Sequence, residues 1–103
     1  MGGYAGSILY VDLTSGDIEA RPLDMEFARE YIGGLGFGTK IYLDLIQGKP
    51  DFDPLSADNP FVVMTGPLTG MRTNAVARWT VGSKSPLTGL WGDCNIGGFF
   101  GAQ

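Results

Sequence analysis

Apolar and polar positions divide the chain into short segments of different period. Ser7-Ile8-Leu9-Tyr10-Val11-Asp12-Leu13 is rich in β-branched, aromatic and aliphatic residues and predicts a strand. The turn formers Thr14-Ser15-Gly16-Asp17 follow, and Ile18-Glu19-Ala20-Arg21 resumes extended structure. The N-terminal segment therefore predicts a hairpin, ended by Pro22. Asp24 can cap a helix, its carboxylate accepting the free amide protons of the first turn. Ala28, Tyr31, Ile32 and Leu35 then recur at i, i+3, i+4 and i+7, an amphipathic helix facing a core, with Gly33-Gly34 as its stop. A second helix is expected from about Thr39 to Ile46, with Ile41 and Leu45 apolar and Gly48 beyond its end. Residues 50–60 read as a polar, proline-punctuated loop.

The second half changes character. Phe61-Val62-Val63-Met64-Thr65 predicts a short buried strand and Val76-Ala77-Arg78-Trp79-Thr80-Val81 another. Alternation puts Val76, Arg78 and Thr80 on one face of the latter, with Ala77, Trp79 and Val81 on the other. Each strand runs into the same tetrapeptide, Pro67-Leu68-Thr69-Gly70 and Pro86-Leu87-Thr88-Gly89. Proline presets φ for the second position of a turn and glycine is favoured at the fourth, so a strand–turn unit is used twice. The pattern implies an α+β fold, a mostly antiparallel sheet base with two short helices between its hairpins.

Composition sharpens this picture. The 103 residues suffice for one small domain, and 44% are hydrophobic, enough to fold. Charged residues make up 17%, against roughly a quarter in an average soluble domain. Seven Lys and Arg against eleven Asp and Glu give a net charge of −4, and the cations are scattered, which speaks against nucleic acid as a partner. With no histidine, a Ser-His-Asp triad, a Cys-His dyad and imidazole metal ligands are excluded within the chain. Cys94 is the single cysteine, so no internal disulfide forms and no iron–sulfur cluster is held by this chain alone. Residues 1–6 carry neither a basic nor an apolar leader region, and no apolar run approaches the ~20 residues that span a bilayer. A cytoplasmic location without membrane contact is the expectation. The segment 90–101 is apolar, aromatic and glycine-rich with one charge, and would fray in water unless something covers it.

Candidate chemistry is sparse when taken residue by residue. Gly33-Gly34-Leu35-Gly36-Phe37-Gly38 has the glycine spacing of a phosphate loop, but Thr39-Lys40 stands in the wrong order. A dinucleotide loop would follow a strand, whereas this one follows a helix, so a glycine-rich corner is the better reading. Arg78 suits a phosphate or carboxylate, or simply points outward from a half-exposed sheet. Asn95 offers an amide donor and a carbonyl acceptor beside Gly97-Gly98, where a backbone approaches a ligand closely; a plain turn is the alternative. With no base in the chain, Cys94 reads as a small buried packing residue.

Taken in order, these segments say more. Gly66-Pro67-Leu68-Thr69-Gly70, Ala77-Arg78-Trp79-Thr80-Val81, Lys84-Ser85-Pro86-Leu87-Thr88-Gly89 and Asn95-Ile96-Gly97-Gly98-Phe99-Phe100-Gly101 together resemble the N-terminal domain of the aldehyde ferredoxin oxidoreductase family. Tyr4-Ala5-Gly6 before a strand ending Val11-Asp12-Leu13-Thr14-Ser15-Gly16, and Ile32-Gly33-Gly34-Leu35-Gly36 after a helix, extend the resemblance over the whole chain. It implies that residues 1–103 are a partial N-terminal domain of a longer oxidoreductase. That enzyme would oxidise aldehydes to carboxylic acids and pass electrons to ferredoxin or another carrier. The implied cofactors are a tungsten or molybdenum bis-pterin, a magnesium ion bridging the pterin phosphates, and a [4Fe-4S] cluster held by other parts of the protein. By match of motif, Asn95 would meet the magnesium through its backbone carbonyl and Arg78 a pterin or its phosphate. Gly97 and Gly98 would allow close backbone approach to the cofactor. Leu35 stands where the family commonly carries an arginine, and Cys94 where serine or alanine is common. The isolated chain should then be inactive, and a homodimer through an uncovered sheet edge is expected. Two other readings stay open: a standalone module that holds a pterin without redox chemistry, and a β-rich interaction domain whose apolar C-terminal segment docks a partner.

Overall fold

The computed structural model describes residues 3–103, so the first two residues of the leader region considered above lie outside the described residues. Strands β1 (Ser7–Val11) and β2 (Ile18–Pro22) pair antiparallel, with Ser7 opposite Pro22 and Val11 opposite Ile18. Asp12 fastens the turn: its Oδ1 accepts from the Thr14 amide at 2.9 Å and its own N–H donates to the Asp17 carbonyl at 2.8 Å. This is the expected hairpin, with Pro22 inside the last rung rather than beyond it. An edge strand tolerates proline because no neighbour needs its missing N–H.

Helix α1 (Met25–Tyr31) starts at the expected cap, Asp24 accepting from the Glu26 amide at 3.0 Å. It stops before the predicted apolar stripe is complete. Ile32 has φ 68° and ψ −60°, and the Gly33 N–H donates to the Tyr31 carbonyl at 2.8 Å, which makes a γ-turn. Ile32 and Leu35 are consequently exposed instead of buried on α1. Helix α2 (Leu35–Leu45) begins four positions before the expected Thr39 and takes in Gly36 and Gly38, read above as corner residues. The reason is packing: a Cβ on Gly36 would collide with the Tyr31 carbonyl, and one on Gly38 would touch Met64 and Val62 at 3.5 Å. Tertiary contact outweighs the low helix propensity of glycine at these two places.

Residues 50–60 form the expected loop of turns. Strands β3 (Val62–Thr65), β4 (Trp79–Lys84) and β5 (Trp91–Ile96) make an antiparallel sheet in the order β3–β4–β5. Only Val62 of the first strand is buried, and Phe61 lies outside the strand, exposed. β4 starts at Trp79, not Val76, because the Gly70 N–H bonds to the Val76 carbonyl at 2.8 Å and closes the preceding loop. The repeated tetrapeptides both turn the chain, with Gly70 at φ 83° and Gly89 at φ 71°. Within the apolar segment 90–101, residues 91–96 form β5; pairing with β4 makes them a strand despite Gly92, Asp93 and Asn95.

The core is small. Ala28, Phe37 and Ile41 are buried, packed by Tyr4, Ile8, Leu23, Phe27, Tyr31 and Met64. Phe27 bridges helix to helix, its ring 5.0 Å from Tyr31 and 4.9 Å from Phe37. The two sheets do not join: β1 and β3 both line an open groove of about 1300 Å³. Among the described residues no helix is long and apolar enough to cross a membrane.

Candidate functional site

The residues singled out by sequence gather at one end of the β4–β5 ribbon. The Ser85 N–H donates to the Leu90 carbonyl at 2.8 Å just beyond the ladder, which sets the alternation of an antiparallel pair. Stepping along the register makes Trp79–Ile96 a hydrogen-bonded pair and Thr80–Asn95 a non-hydrogen-bonded one. Two consequences follow for Asn95. Its backbone N–H and C=O point away from β4, off the free edge of the sheet. Its side chain lies close to Thr80, as side chains do in such pairs, and the Thr80 hydroxyl donates to Asn95 Oδ1 at 2.8 Å. Asn95 thus lies in a strand, not the turn left open above. Its Nδ2 has no acceptor among the described residues.

The ladder stops at Trp79–Ile96, and one further step would set Arg78 opposite Gly97. Arg78 is exposed and in no ion pair among the described residues, while its carbonyl accepts from Thr69 Oγ1 at 3.1 Å. That bond fixes the backbone and leaves the guanidinium free for an anion. No heavy atom lies within 4 Å of where a Cβ would stand on Gly97 or Gly98, and Gly98 has φ 102°. The space beside both glycines is open. The structure therefore brings Arg78, Asn95, Gly97 and Gly98 to one end of one ribbon, though no hydrogen bond joins them.

The glycine corner reaches the same end. Gly34 donates to the Thr65 carbonyl at 3.0 Å, and a Cβ placed on it would stand 3.9 Å from Thr80 Oγ1. A Cβ on Gly33 would press on Pro67 Cδ at 2.9 Å, so this corner fits only without side chains. Gly34 is also the N-cap of α2 and offers no side-chain acceptor to its first amides.

Other expectations fare differently. Cys94, expected to be buried packing, is exposed, because its side of β5 has nothing packed on it. No group of three His, Cys, Asp or Glu among the described residues could hold a metal. Trp79 packs on Phe100 at 4.7 Å, and its buried Nε1 has no partner among the described residues. Thr80 was read only as one residue of an alternating face. A β-strand threonine and a nearby asparagine give no register in the sequence, and only the pairing reveals that they meet.

At the opposite end of β4, Asn59 and Lys84 tie down the loop of residues 50–60. Asn59 donates to the Pro54 and Lys84 carbonyls at 2.8 and 3.1 Å. It accepts from Tyr42, Ser83 and the Lys84 amide at 3.3, 3.0 and 3.2 Å. Lys84 Nζ donates to the carbonyls of Pro50 and Phe52 at 2.6 and 2.8 Å. Sequence reading found neither role.

Residues 8–103 match the family model described as aldehyde ferredoxin oxidoreductase, N-terminal domain. A tungsten-containing aldehyde ferredoxin oxidoreductase of Pyrococcus abyssi is 45% identical over 103 residues, all of this chain and 17% of that protein. An aliphatic sulfonate oxidoreductase, WOR-like subunit, of Pyrococcus furiosus is 36% identical over 91 residues, covering 84% of this chain and 14% of that one. The chain thus spans about a sixth of the length of the curated relatives it matches. Among solved structures, the active-site complex BamBC of benzoyl coenzyme A reductase, in complex with 1,5-dienoyl-CoA, superposes with a TM-score of 0.89. It is 33% identical and matches 98% of this chain and 15% of its own.

Proposed function

Because this chain belongs to the aldehyde ferredoxin oxidoreductase family, matching its N-terminal domain, we propose that residues 1–103 support the bis-pterin cofactor of a longer oxidoreductase. Asn95 carries this reading. Its carbonyl points off an unpaired strand edge, beside two glycines with open space around them and an arginine without an ionic partner among the described residues. A hard carbonyl oxygen suits magnesium, and a fixed cation suits the phosphates of such a cofactor. These residues fit the group: the backbone carbonyl of Asn95 would hold the magnesium, and Arg78 a pterin or its phosphate. Gly97 and Gly98 would let the backbone lie against the cofactor.

When bound, the tungsten or molybdenum centre supplies the two-electron chemistry that turns an aldehyde and water into a carboxylic acid, with ferredoxin or another carrier as acceptor. This chain's residues orient and anchor. One cysteine is too few for a [4Fe-4S] cluster, so the relay belongs to the rest of the protein, and residues 1–103 alone would be inactive. Phe99, 87% exposed, and Leu87, 92% exposed, support the remainder of a longer protein as their cover.

Arg78→Ala and Gly97→Ala in the full-length protein test this reading, because Asn95→Ala would leave the backbone carbonyl in place. Both should lower pterin and tungsten content and, with it, aldehyde-dependent reduction of a viologen dye. Full cofactor content in both variants would overturn the assignment.

A further inference from the structure

We infer that Thr80 is a positioning residue for Asn95, an inference that rests on the reading of Asn95 given above. The Thr80 hydroxyl has one proton and gives it to Asn95 Oδ1 at 2.8 Å. With Oδ1 engaged, the amide is turned so that Nδ2, with two N–H groups and no acceptor among the described residues, is what Asn95 has left to offer. Asn95 then presents two different groups at one place. The backbone carbonyl is an acceptor for a cation and points off the sheet edge. The side chain is a donor and suits the anionic oxygens that such a cation would bridge. Without Thr80 the amide can rotate and present Oδ1 instead, which repels an anion.

The surroundings favour a role beyond ordinary cross-strand pairing. Thr80 is half-buried on β4 while Asn95 is exposed on β5, so the better-held residue fixes the freer one. Gly34 lies beside Thr80, where a Cβ built on it would stand 3.9 Å from the Thr80 oxygen.

The test compares Thr80→Val, Thr80→Ser and Asn95→Ala in the full-length protein. Magnesium and pterin retained per chain are measured after challenge with a chelator, and the melting temperature is followed in parallel. Valine keeps the shape of threonine and removes the hydroxyl; serine keeps the hydroxyl. Thr80→Val should weaken pterin retention roughly tenfold with magnesium lost alongside it, Thr80→Ser should retain both, and melting should stay near wild type in each. Wild-type retention in Thr80→Val beside a loss in Asn95→Ala overturns the positioning role and leaves the Asn95 reading standing. Wild-type retention in Asn95→Ala also overturns the positioning role, because the side chain that Thr80 holds then contributes nothing, and leaves the backbone-carbonyl reading standing. If Thr80→Ser fails as badly as Thr80→Val, or if losses track a falling melting temperature, the hydroxyl is structural only and the inference falls.

Discussion

Two asparagines stand at opposite ends of the same ribbon, and their surroundings differ sharply. Asn59 uses every polar atom of its side chain: both donors reach carbonyls, and its oxygen accepts from a hydroxyl, a phenol and an amide. Asn95 makes one side-chain bond, to Thr80, and turns its backbone toward open space. A half-buried amide left unpaired costs stability, so a folded chain satisfies it. An exposed amide with spare donors costs nothing to the fold and is free to meet a ligand. Saturation marks the end of β4 that holds the structure together, and vacancy marks the end available for chemistry.

The largest effect that would test this contrast is on stability. Asn59→Ala leaves the Lys84 amide, the Tyr42 hydroxyl and two carbonyls short of a partner, and should cost about 3 kcal/mol in urea unfolding. Asn95→Ala should cost less than about 1 kcal/mol, the range of a single exposed cross-strand pair. Equal losses would break the comparison. A second pair of substitutions sharpens it. A Cβ on Gly82 would overlap the Trp91 ring, which packs on Tyr42 at 4.5 Å. Gly82→Ala should therefore cost about 2 kcal/mol and shift tryptophan fluorescence, whereas Gly97→Ala meets nothing within 4 Å and should melt like the parent. The same Gly97→Ala change, harmless to the fold, should still weaken cofactor retention if the backbone must approach the pterin.

The sequence made the two ends legible to different degrees. The N-terminal hairpin was readable because Asp12 to Asp17 carries its own turn chemistry. Asp24 and the two Pro-Leu-Thr-Gly turns were readable for the same local reason. α2 was placed too late because Gly36 and Gly38 look like loop residues until the contacts with Tyr31, Val62 and Met64 are known. β5 was missed because Gly92, Asp93 and Asn95 have little strand propensity, and only β4 makes them extended. Arg78, Asn95, Gly97 and Gly98 were named by resemblance; local pattern alone left each with an ordinary alternative. Their convergence depends on register, which a one-residue slip would undo and which no local pattern encodes. Asn59 went unnoticed because its partners lie up to 25 positions away.

Backbone strain is a smaller lever and belongs to the open end. Ile32 is β-branched, 64% exposed, and held at φ 68° by the γ-turn that delivers Gly33 and Gly34 to Thr65. A side chain in that conformation costs on the order of 1–3 kcal/mol, more than the chain entropy that a glycine adds. Ile32→Gly should raise stability by about 1 kcal/mol, seen as a higher melting temperature, and Ile32→Val should not. A loss in Ile32→Gly would mean that the exposed isoleucine contributes contacts outweighing its strain.

The smallest expected effect reads the locked end through pH. Tyr42 is buried beside Trp91, and burial holds its hydroxyl pKa above the usual tyrosine value. The folded state therefore keeps this proton more tightly than the unfolded chain. The stability so gained is complete below the unfolded pKa of about 10 and is lost as pH rises through the folded value. Lys40, raised by its bond to Asp44, shifts in the same direction, so stability should fall on the alkaline side for two reasons. Tyr42→Phe removes only one of them. At neutral pH it deletes one long bond to Asn59, whose oxygen still has two other donors, and should cost about 0.5 kcal/mol. Above about pH 10 its stability should then decline less steeply than that of the parent, by urea midpoints at each pH. Parallel declines would show that Tyr42 ionises as easily folded as unfolded, and that the locked end is wetter than its bonding pattern implies.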